Sequence, residues 1–155
     1  MGQAMRYDII ADTHGYLSDE LLHALEGADV IVHAGDICSA RDLRRLEDIA
    51  PVKFCIGNND YGYDYGPFAK RDYRFYSSKL RWQVCHYRER LDLAVCDVAV
   101  CGHTHRPLVE RDKRYGTLVM NPGSPTHPRA SGPSMGRIMA EEGQVLSAEI
   151  IQLAS

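Results

Sequence analysis

Seven side chains in this sequence are of the types that hold transition metals: Asp12, His14, Asp36, Asn58, His86, His103 and His105. Each follows a short apolar run. Ile9-Ile10-Ala11 breaks into Asp12-Thr13-His14-Gly15, and Val30-Ile31-Val32 runs through His33-Ala34-Gly35 into Asp36. Phe54-Cys55-Ile56 gives way to Gly57-Asn58-Asn59-Asp60, Val84-Cys85 to His86, and Val98-Ala99-Val100-Cys101-Gly102 to His103-Thr104-His105. A lone His-x-His pair or Gly-Asp turn says little, but the same break at five strand ends is a pattern. Oxygen and imidazole ligands without thiolate suit Mn²⁺, Fe, Zn²⁺, Ni²⁺ or Co²⁺. Seven ligands exceed one tetrahedral site and suffice for two ions if one carboxylate bridges them. Only Asp12 and Asp36 carry negative charge, so two divalent ions and a bridging hydroxide leave the site at roughly +1. Such a site favours an anionic substrate. Two metals about 3.5–4 Å apart can hold a hydroxide and polarise phosphate oxygens during in-line displacement.

The elements that must position these residues can be read in order. Residues 6–11 form a first strand. Ser18 caps a helix with Asp19 and Glu20 in its first turn, Leu21, Leu22 and Leu25 on its apolar face, and Gly27 as its stop. Val30 to His33 is a second strand, apolar on both faces as a buried parallel strand is. Ser39 and Asp42 resemble a capping box at the start of a helix that Pro51 terminates, and Val52 to Ile56 is a third strand. This β-α-β-α-β order implies a parallel sheet with right-handed crossovers. Loops at the carboxyl ends of its strands then share one edge, so Asp12, His14, Asp36 and Asn58 should converge. Downstream the pattern predicts strands near Tyr73–Ser77 and Arg81–His86, a short helix around Glu89–Val95, a strand ending at Cys101, and two hairpins. The hairpins pair Leu108–Glu110 with Thr117–Met120, and Arg137–Ala140 with Ser147–Leu153. Five of the nine tyrosines fall within residues 61–76; they suit packing or a subunit contact, and alternatively a wall against which an aryl group stacks.

The 155 residues fit one domain, residues 1–155, with a real core. Residues 1–4 read as a loose start. A formal net charge of −3 argues against a protein that coats nucleic acid or binds a membrane surface. No apolar run approaches the roughly 20 residues of a bilayer span. Four of five cysteines lie in or beside apolar runs and there is no Cys-x-x-Cys, which suits reduced thiols and a cytoplasmic location. His33 reads as a core or supporting histidine, His23 as an exposed helix residue, and His127 as part of a Pro-rich loop, with substrate contact the less favoured reading. Asp60 reads as the anchor of its own loop. Asn121 and Ser124 read as turn residues that buttress the Gly-His-Thr-His loop.

Taken together, Asp-x-His-Gly, Gly-Asp, Gly-Asn-x-Asp, an isolated His after a strand, and Gly-His-Thr-His occur in an order that resembles the calcineurin-like metallophosphoesterase superfamily. The short length and the Asn121-Pro122-Gly123-Ser124 segment are similar to its small prokaryotic phosphodiesterases. The resemblance spans roughly Met5 to Ala140. It implies an α/β fold, a four-layer αββα sandwich of two mixed sheets flanked by helices. It implies one ion held by Asp12, His14, Asp36 and His105, and a second by Asp36, Asn58, His86 and His103, with Asp36 bridging. The ions expected are two divalent metals, Mn²⁺ foremost. Asp36, Asn58 and His103 are the candidate catalytic residues, and a small phosphodiester is the expected partner, with a homo-oligomer left open. The alternative is a non-catalytic, metal-bound scaffold for protein interaction, as in the retromer subunit of the superfamily. Three departures stand out. Asn59 occupies the position of a proton-donating His and cannot act as an acid at neutral pH. His86-Tyr87-Arg88 stands where His-Gly-His is usual. The stretch between His86 and His103 is short, so a helix there should be trimmed.

Overall fold

The computed structural model describes residues 3–154, so the reading of residues 1–4 as a loose start lies in part outside the described residues. Ten strands form two five-stranded mixed sheets. In the first, β1 (Met5–Ile10), β2 (Val30–His33) and β3 (Val52–Phe54) are parallel neighbours. They are joined through α1 (Asp19–Ala24) and α2 (Ala40–Glu47), as the alternating apolar and amphipathic segments require. β9 (Ser134–Glu141) pairs antiparallel with β1, and β10 (Gln144–Gln152) closes that edge. The second sheet runs β4 (Asp72–Ser77), β5 (Leu80–Cys85), β6 (Val98–Val100), β8 (Leu118–Asn121), β7 (Leu108–Arg111). Here β5, β6 and β8 are parallel, and the two edge strands are antiparallel.

Alternate residues of each strand fill the space between the sheets. Tyr7, Ile9, Val30 and Val32 from the first meet Trp82, Val84, Val98, Val100 and Met120 from the second. The other faces of β1 and β2 bury Ile10 and Ile31 under Leu21, Leu25 and Leu46 of the helical layer. Both helices begin as expected: the Ser18 hydroxyl accepts the Leu21 N–H, and the Ser39 hydroxyl accepts the Asp42 N–H.

The outer face of the second sheet differs from the expected helix around Glu89–Val95. A 3₁₀ turn covers only Arg88–Arg90, and the chain then passes through Leu91 and Leu93 over Cys96, Ala99 and Val119. Hydrogen bonding to side chains decides this. The buried Gln83 carboxamide accepts the Asp92 N–H at 2.8 Å, and the Asp92 carboxylate accepts the Ala94 N–H at 3.2 Å. Both amides are thereby lost to a helical ladder. The final hairpin is longer than expected and is irregular between Val145 and Ser147. None of the described helices is long and apolar enough to cross a membrane. All five cysteines are free, and burial raises the thiol pKa of Cys55, Cys85, Cys96 and Cys101.

One buried ion cluster fastens α1 to this frame. The fully buried Asp8 carboxylate accepts from the Arg6 guanidinium at 2.7 Å and from the Arg137 guanidinium at 2.8 Å. Both arginines also donate to the Ala24 carbonyl at the end of α1. Removing the carboxylate would leave two cations facing each other in a largely dry site. We expect Asp8→Ala to cost about 3 kcal/mol in a denaturant titration. A loss below about 1 kcal/mol, the level of an exposed pair, would contradict this account.

At the end of β2, His33 is fully buried. Its Nδ1 accepts the Gly35 N–H, so Nε2 carries the proton and donates to the Thr13 hydroxyl. Burial lowers its pKa from the usual 6.5 to about 4, although the Asp60 carboxylate opposes that shift. The folded chain therefore resists a proton that the unfolded chain accepts. The stability this imidazole contributes is intact above about pH 6.5 and is lost as pH falls toward 4. A His33→Gln variant should show a shallower fall in denaturation midpoint across that interval; an unchanged slope would rule out His33 as a source.

Candidate metal centre

Every expected ligand lies in a loop at one rim of the sandwich. The loop after β1 is tied to the loop after β2 by three backbone hydrogen bonds: Asp12 N–H to Gly35 C=O, His14 N–H to Asp36 C=O, and Gly15 N–H to Ile37 C=O. The Asp60 carboxylate ties the loop after β2 to the loop after β3. It accepts the Asp36 N–H at 2.8 Å, the Gly57 N–H at 2.6 Å, the Cys38 N–H at 2.9 Å and the Tyr65 hydroxyl at 2.7 Å. Asp60 thus anchors its own loop, as its motif suggests, and a neighbouring one as well. Asn121 buttresses the Gly-His-Thr-His loop by donating to the Gly102 carbonyl and the Thr104 hydroxyl. Ser124 reaches the other side and donates to the Asp12 carbonyl at 2.7 Å.

These ties hold an unusual backbone. Asp12, His14, Asp36, His103 and His105 all have φ between 50° and 72°. Each such residue costs on the order of 1 kcal/mol or more, and such strain concentrates at functional sites. Close approach adds a further constraint. A Cβ on Gly57 would lie 2.2 Å from Asp36 Oδ1, and one on Gly102 would lie 2.9 Å from Asp12 Oδ2.

The polar atoms then converge. Asp12 Oδ1 stands 3.5 Å from His105 Nε2, 3.7 Å from His86 Nε2 and 3.8 Å from His14 Nε2. Asp36 Oδ2 is 3.3 Å from His86 Nε2 and 3.7 Å from His14 Nε2. The His14 and His105 Nε2 atoms are 3.3 Å apart. Two tight groups result, Asp12–His14–His105 and Asp12–Asp36–His86. Asp36 Oδ2 lies between His14 and His86, whereas the residue common to both groups is Asp12, whose Oδ1 faces three imidazoles. His103 belongs to neither group. Its ring packs 5.1 Å from the His86 ring while its N–H donates to Asp12 Oδ2 at 2.9 Å. Asn58 is exposed in the loop beside Asn59.

Three observations show that this set fits divalent cations. Asp12 Oδ1 and His86 Nε2 are buried polar atoms with no hydrogen-bond partner, an expensive condition for a folded chain. The His86 Nδ1–H donates to the Ala34 carbonyl, and the His105 Nδ1–H to the His127 carbonyl, which aims the Nε2 lone pair of each inward. Ligand atoms about 2.0–2.2 Å from one ion stand roughly 3–4 Å from one another, which is the spacing of these groups. Electrostatics agree. Burial pushes the Asp12 carboxyl up to about 7, partly offset by the His86 imidazole and reinforced by the Asp36 carboxylate. Burial also acts on Asp36, but the His86 imidazole 3.3 Å away and the two hydrogen bonds from Asn59 outweigh it and hold that carboxyl well below the usual range. The two acids part because Asp36 is hydrogen-bonded at both oxygens and Asp12 Oδ1 is not. Burial would depress His86 as well, yet the two carboxylates prevail and raise its pKa.

Two participants are not evident in the sequence. Asn59 donates to Asp36 twice, from its N–H at 2.9 Å and its carboxamide at 2.9 Å, so this residue steadies the central carboxylate. His127 lies with its ring 5.2 Å from the His14 ring. Position next to a ligand motif was a signal for Asn59; for His127 only its place after Asn-Pro-Gly-Ser was. The tyrosine-rich segment is divided: Tyr65 meets Phe54 edge-on and Tyr73 stacks on it, whereas Tyr61, Tyr63 and Tyr76 are exposed. A larger pocket of about 410 Å³ bordered by Arg81, Asp97, Arg111 and Tyr115 contains none of the site residues.

Comparison with known proteins agrees with this geometry. Residues 5–143 match the calcineurin-like phosphoesterase superfamily domain. The chain is 32% identical to a probable metallophosphoesterase of Methanothermobacter thermautotrophicus, over 96% of this chain and 92% of that protein. Among solved structures it is similar to Vacuolar Protein Sorting 29 from Cryptosporidium parvum, with a TM-score of 0.77, 17% identity, and coverage of 96% of this chain and 98% of that one. It is also similar to an archaeal phosphodiesterase, with a TM-score of 0.72, 22% identity, and coverage of 95% and 100%. A domain match running from β1 into the last hairpin, and a relative of nearly equal extent, establish that the chain belongs to the calcineurin-like phosphoesterase superfamily.

Proposed function

We propose that this chain is a metal-dependent phosphodiesterase with a centre for two divalent cations, manganese foremost and Fe, Zn, Ni or Co as alternatives. The observation that carries the reading is the pair of buried, unpartnered lone-pair atoms, Asp12 Oδ1 and His86 Nε2, 3.7 Å apart. Asp12, His14, Asp36 and His105 would hold one cation, and Asp36, Asn58, His86 and His103 the other. Bound cations would supply positive charge to phosphoryl oxygens and lower the pKa of water at the site. The chain does the positioning. Asn59 orients the Asp36 carboxylate, the Ala34 and His127 carbonyls set the tautomers of His86 and His105, and the Asp60 clamp keeps two loops in register. His103 and Asn58, both exposed at the rim, would meet the phosphoryl group first.

A diester suits this site better than a monoester for two reasons. The singly charged diester matches a site of about +1. The Asn59 carboxamide cannot donate a proton to a poor leaving group, and it is already engaged on Asp36. The expected substrates are small phosphodiesters whose leaving group departs with little protonation. The similarity to an archaeal phosphodiesterase is in keeping with this choice.

Turnover of bis(p-nitrophenyl) phosphate with added Mn²⁺ tests the proposal. Asp36→Ala and His103→Ala should each lower kcat/KM by at least about a hundredfold with the circular dichroism spectrum retained. Full activity after chelation would refute it. A metal-loaded, monodisperse but inactive protein would favour the scaffold reading instead.

Cation uptake should also depend on pH. Asp12, raised to about 7, holds a proton below that pH, and a cation must expel it. Affinity is then expected to fall by at least about tenfold per pH unit below 7 and to level off above it. Calorimetry in buffers of differing protonation enthalpy should show more protons released at pH 6 than at pH 8. Equal release at both would contradict the raised pKa of Asp12.

A further inference from the structure

A second cavity adjoins the candidate centre. A pocket of about 280 Å³ opens between the loop after β5 and the loop after β6, with Tyr87, Arg88, His103, Arg106, Pro107 and Leu108 in its wall. His103 is common to the pocket and the proposed ligand set. Gly102 also lines the pocket, and a Cβ there would reach Asp12 Oδ2 at 2.9 Å, so one residue separates the two spaces.

Tyr87 controls the junction. Its ring lies 4.6 Å from the His103 ring at 58° and 5.4 Å from the His86 ring at 73°. The Arg90 guanidinium also sits 6.0 Å from the ring centroid. The ring is half-buried, restrained by both imidazoles, and still borders the pocket, hence preorganised. An ion pair between Arg88 and Glu110 ties this loop to β7. Among the described residues the Arg106 guanidinium makes no ion pair or side-chain hydrogen bond, which leaves a positive group at the rim. The pocket thus joins apolar and aromatic walls to a rim carrying Arg106 and the ion-paired Arg88, with Glu89 as its one carboxylate; the anion of an aromatic ester would lie at the centre and the aromatic group against the ring.

We infer that this pocket is a specificity subsite for one aromatic ester arm of the phosphodiester, with Tyr87 as the specificity-determining residue. The inference rests on the proposed function for its orientation: the phosphoryl group at the cation centre, the arm passing over His103 onto the Tyr87 ring. Neighbouring pockets lack this continuity with the centre, as the one bordered by Phe75, Tyr76 and Trp82 shows. Alkyl arms fill the same volume but forgo the interaction with the ring quadrupole.

The test is an equilibrium one, so it does not depend on turnover. Zn²⁺-loaded protein is titrated calorimetrically with diphenyl phosphate and with dicyclohexyl phosphate, and ring-current shifts at Leu108 are followed by NMR. Diphenyl phosphate should bind about five- to tenfold more tightly, a preference of the size expected for one aromatic pair. Tyr87→Leu should bring the ratio close to one, and Tyr87→Phe should keep it. A ratio near one in the native protein, a ratio unaffected by Tyr87→Leu, no binding of either diester, or shifts that spare Leu108 would each overturn the subsite. An inactive protein that still prefers the phenyl ester would refute the enzymatic reading and retain the subsite. An active protein without the preference would do the reverse.

Discussion

A single buried carboxylate holds the site together. Asp60 is 4% exposed and accepts four hydrogen bonds, three from backbone amides and one from Tyr65. Those amides belong to two loops that enter the rim from different strands. Without a common acceptor each would be an unsatisfied buried donor, and the loops would have no reason to meet. With it, Asp36 is presented toward His86 and Asn59 on a left-handed backbone that its own sequence does not favour. The charge that supports this arrangement sits beneath the centre.

The rim is a place where the chain stores unfavourable free energy. Five left-handed residues, two orphaned polar atoms and two facing imidazole nitrogens lie within a few ångströms. The two sheets below are ordinary by contrast: alternating apolar side chains, capped helices and paired edges. Rigid parallel strands allow the cost, because a loop anchored at both ends to a packed sheet cannot relax away from its neighbours. A cation set at the rim would relieve the unpaired Asp12 and His86 atoms, and its binding would then stabilise the fold.

The trimmed outer layer has a consequence for the rim. Gln83 and Asp92 divert the backbone from a helix, and in the short segment that follows His86 the Tyr87 ring packs against those of His86 and His103. A chain with glycine at position 87 would leave that space open. The same shortening leaves Arg88 near enough to pair with Glu110 on an edge strand. One local choice between side-chain and helical hydrogen bonding thus shapes the approach to the centre.

Much of this was legible without coordinates. Apolar runs of strand length, alternating with two capped helices, dictate a parallel sheet, and a parallel sheet carries its strand-end loops on one rim. That argument needs only periodicity and handedness, and it brings Asp12, His14 and Asp36 together correctly. The candidate ligand set was equally legible, since Asp, Asn and His at strand ends have few other uses in combination; the fold gathers Asp12, His14, Asp36, His86 and His105 into two groups and leaves Asn58 and His103 outside them. Tertiary structure alone decided the rest. Which imidazole nitrogen faces inward depends on carbonyls of Ala34 and His127, far away in sequence. The role of Asn59 depends on a distance across two loops, and the different acidities of Asp12 and Asp36 depend on burial against hydrogen bonding. The position of His127 beside His14 depends on Thr126 donating to the Thr13 carbonyl. Periodicity reports which way a side chain points from its own strand; it carries no information about what a distant segment places opposite.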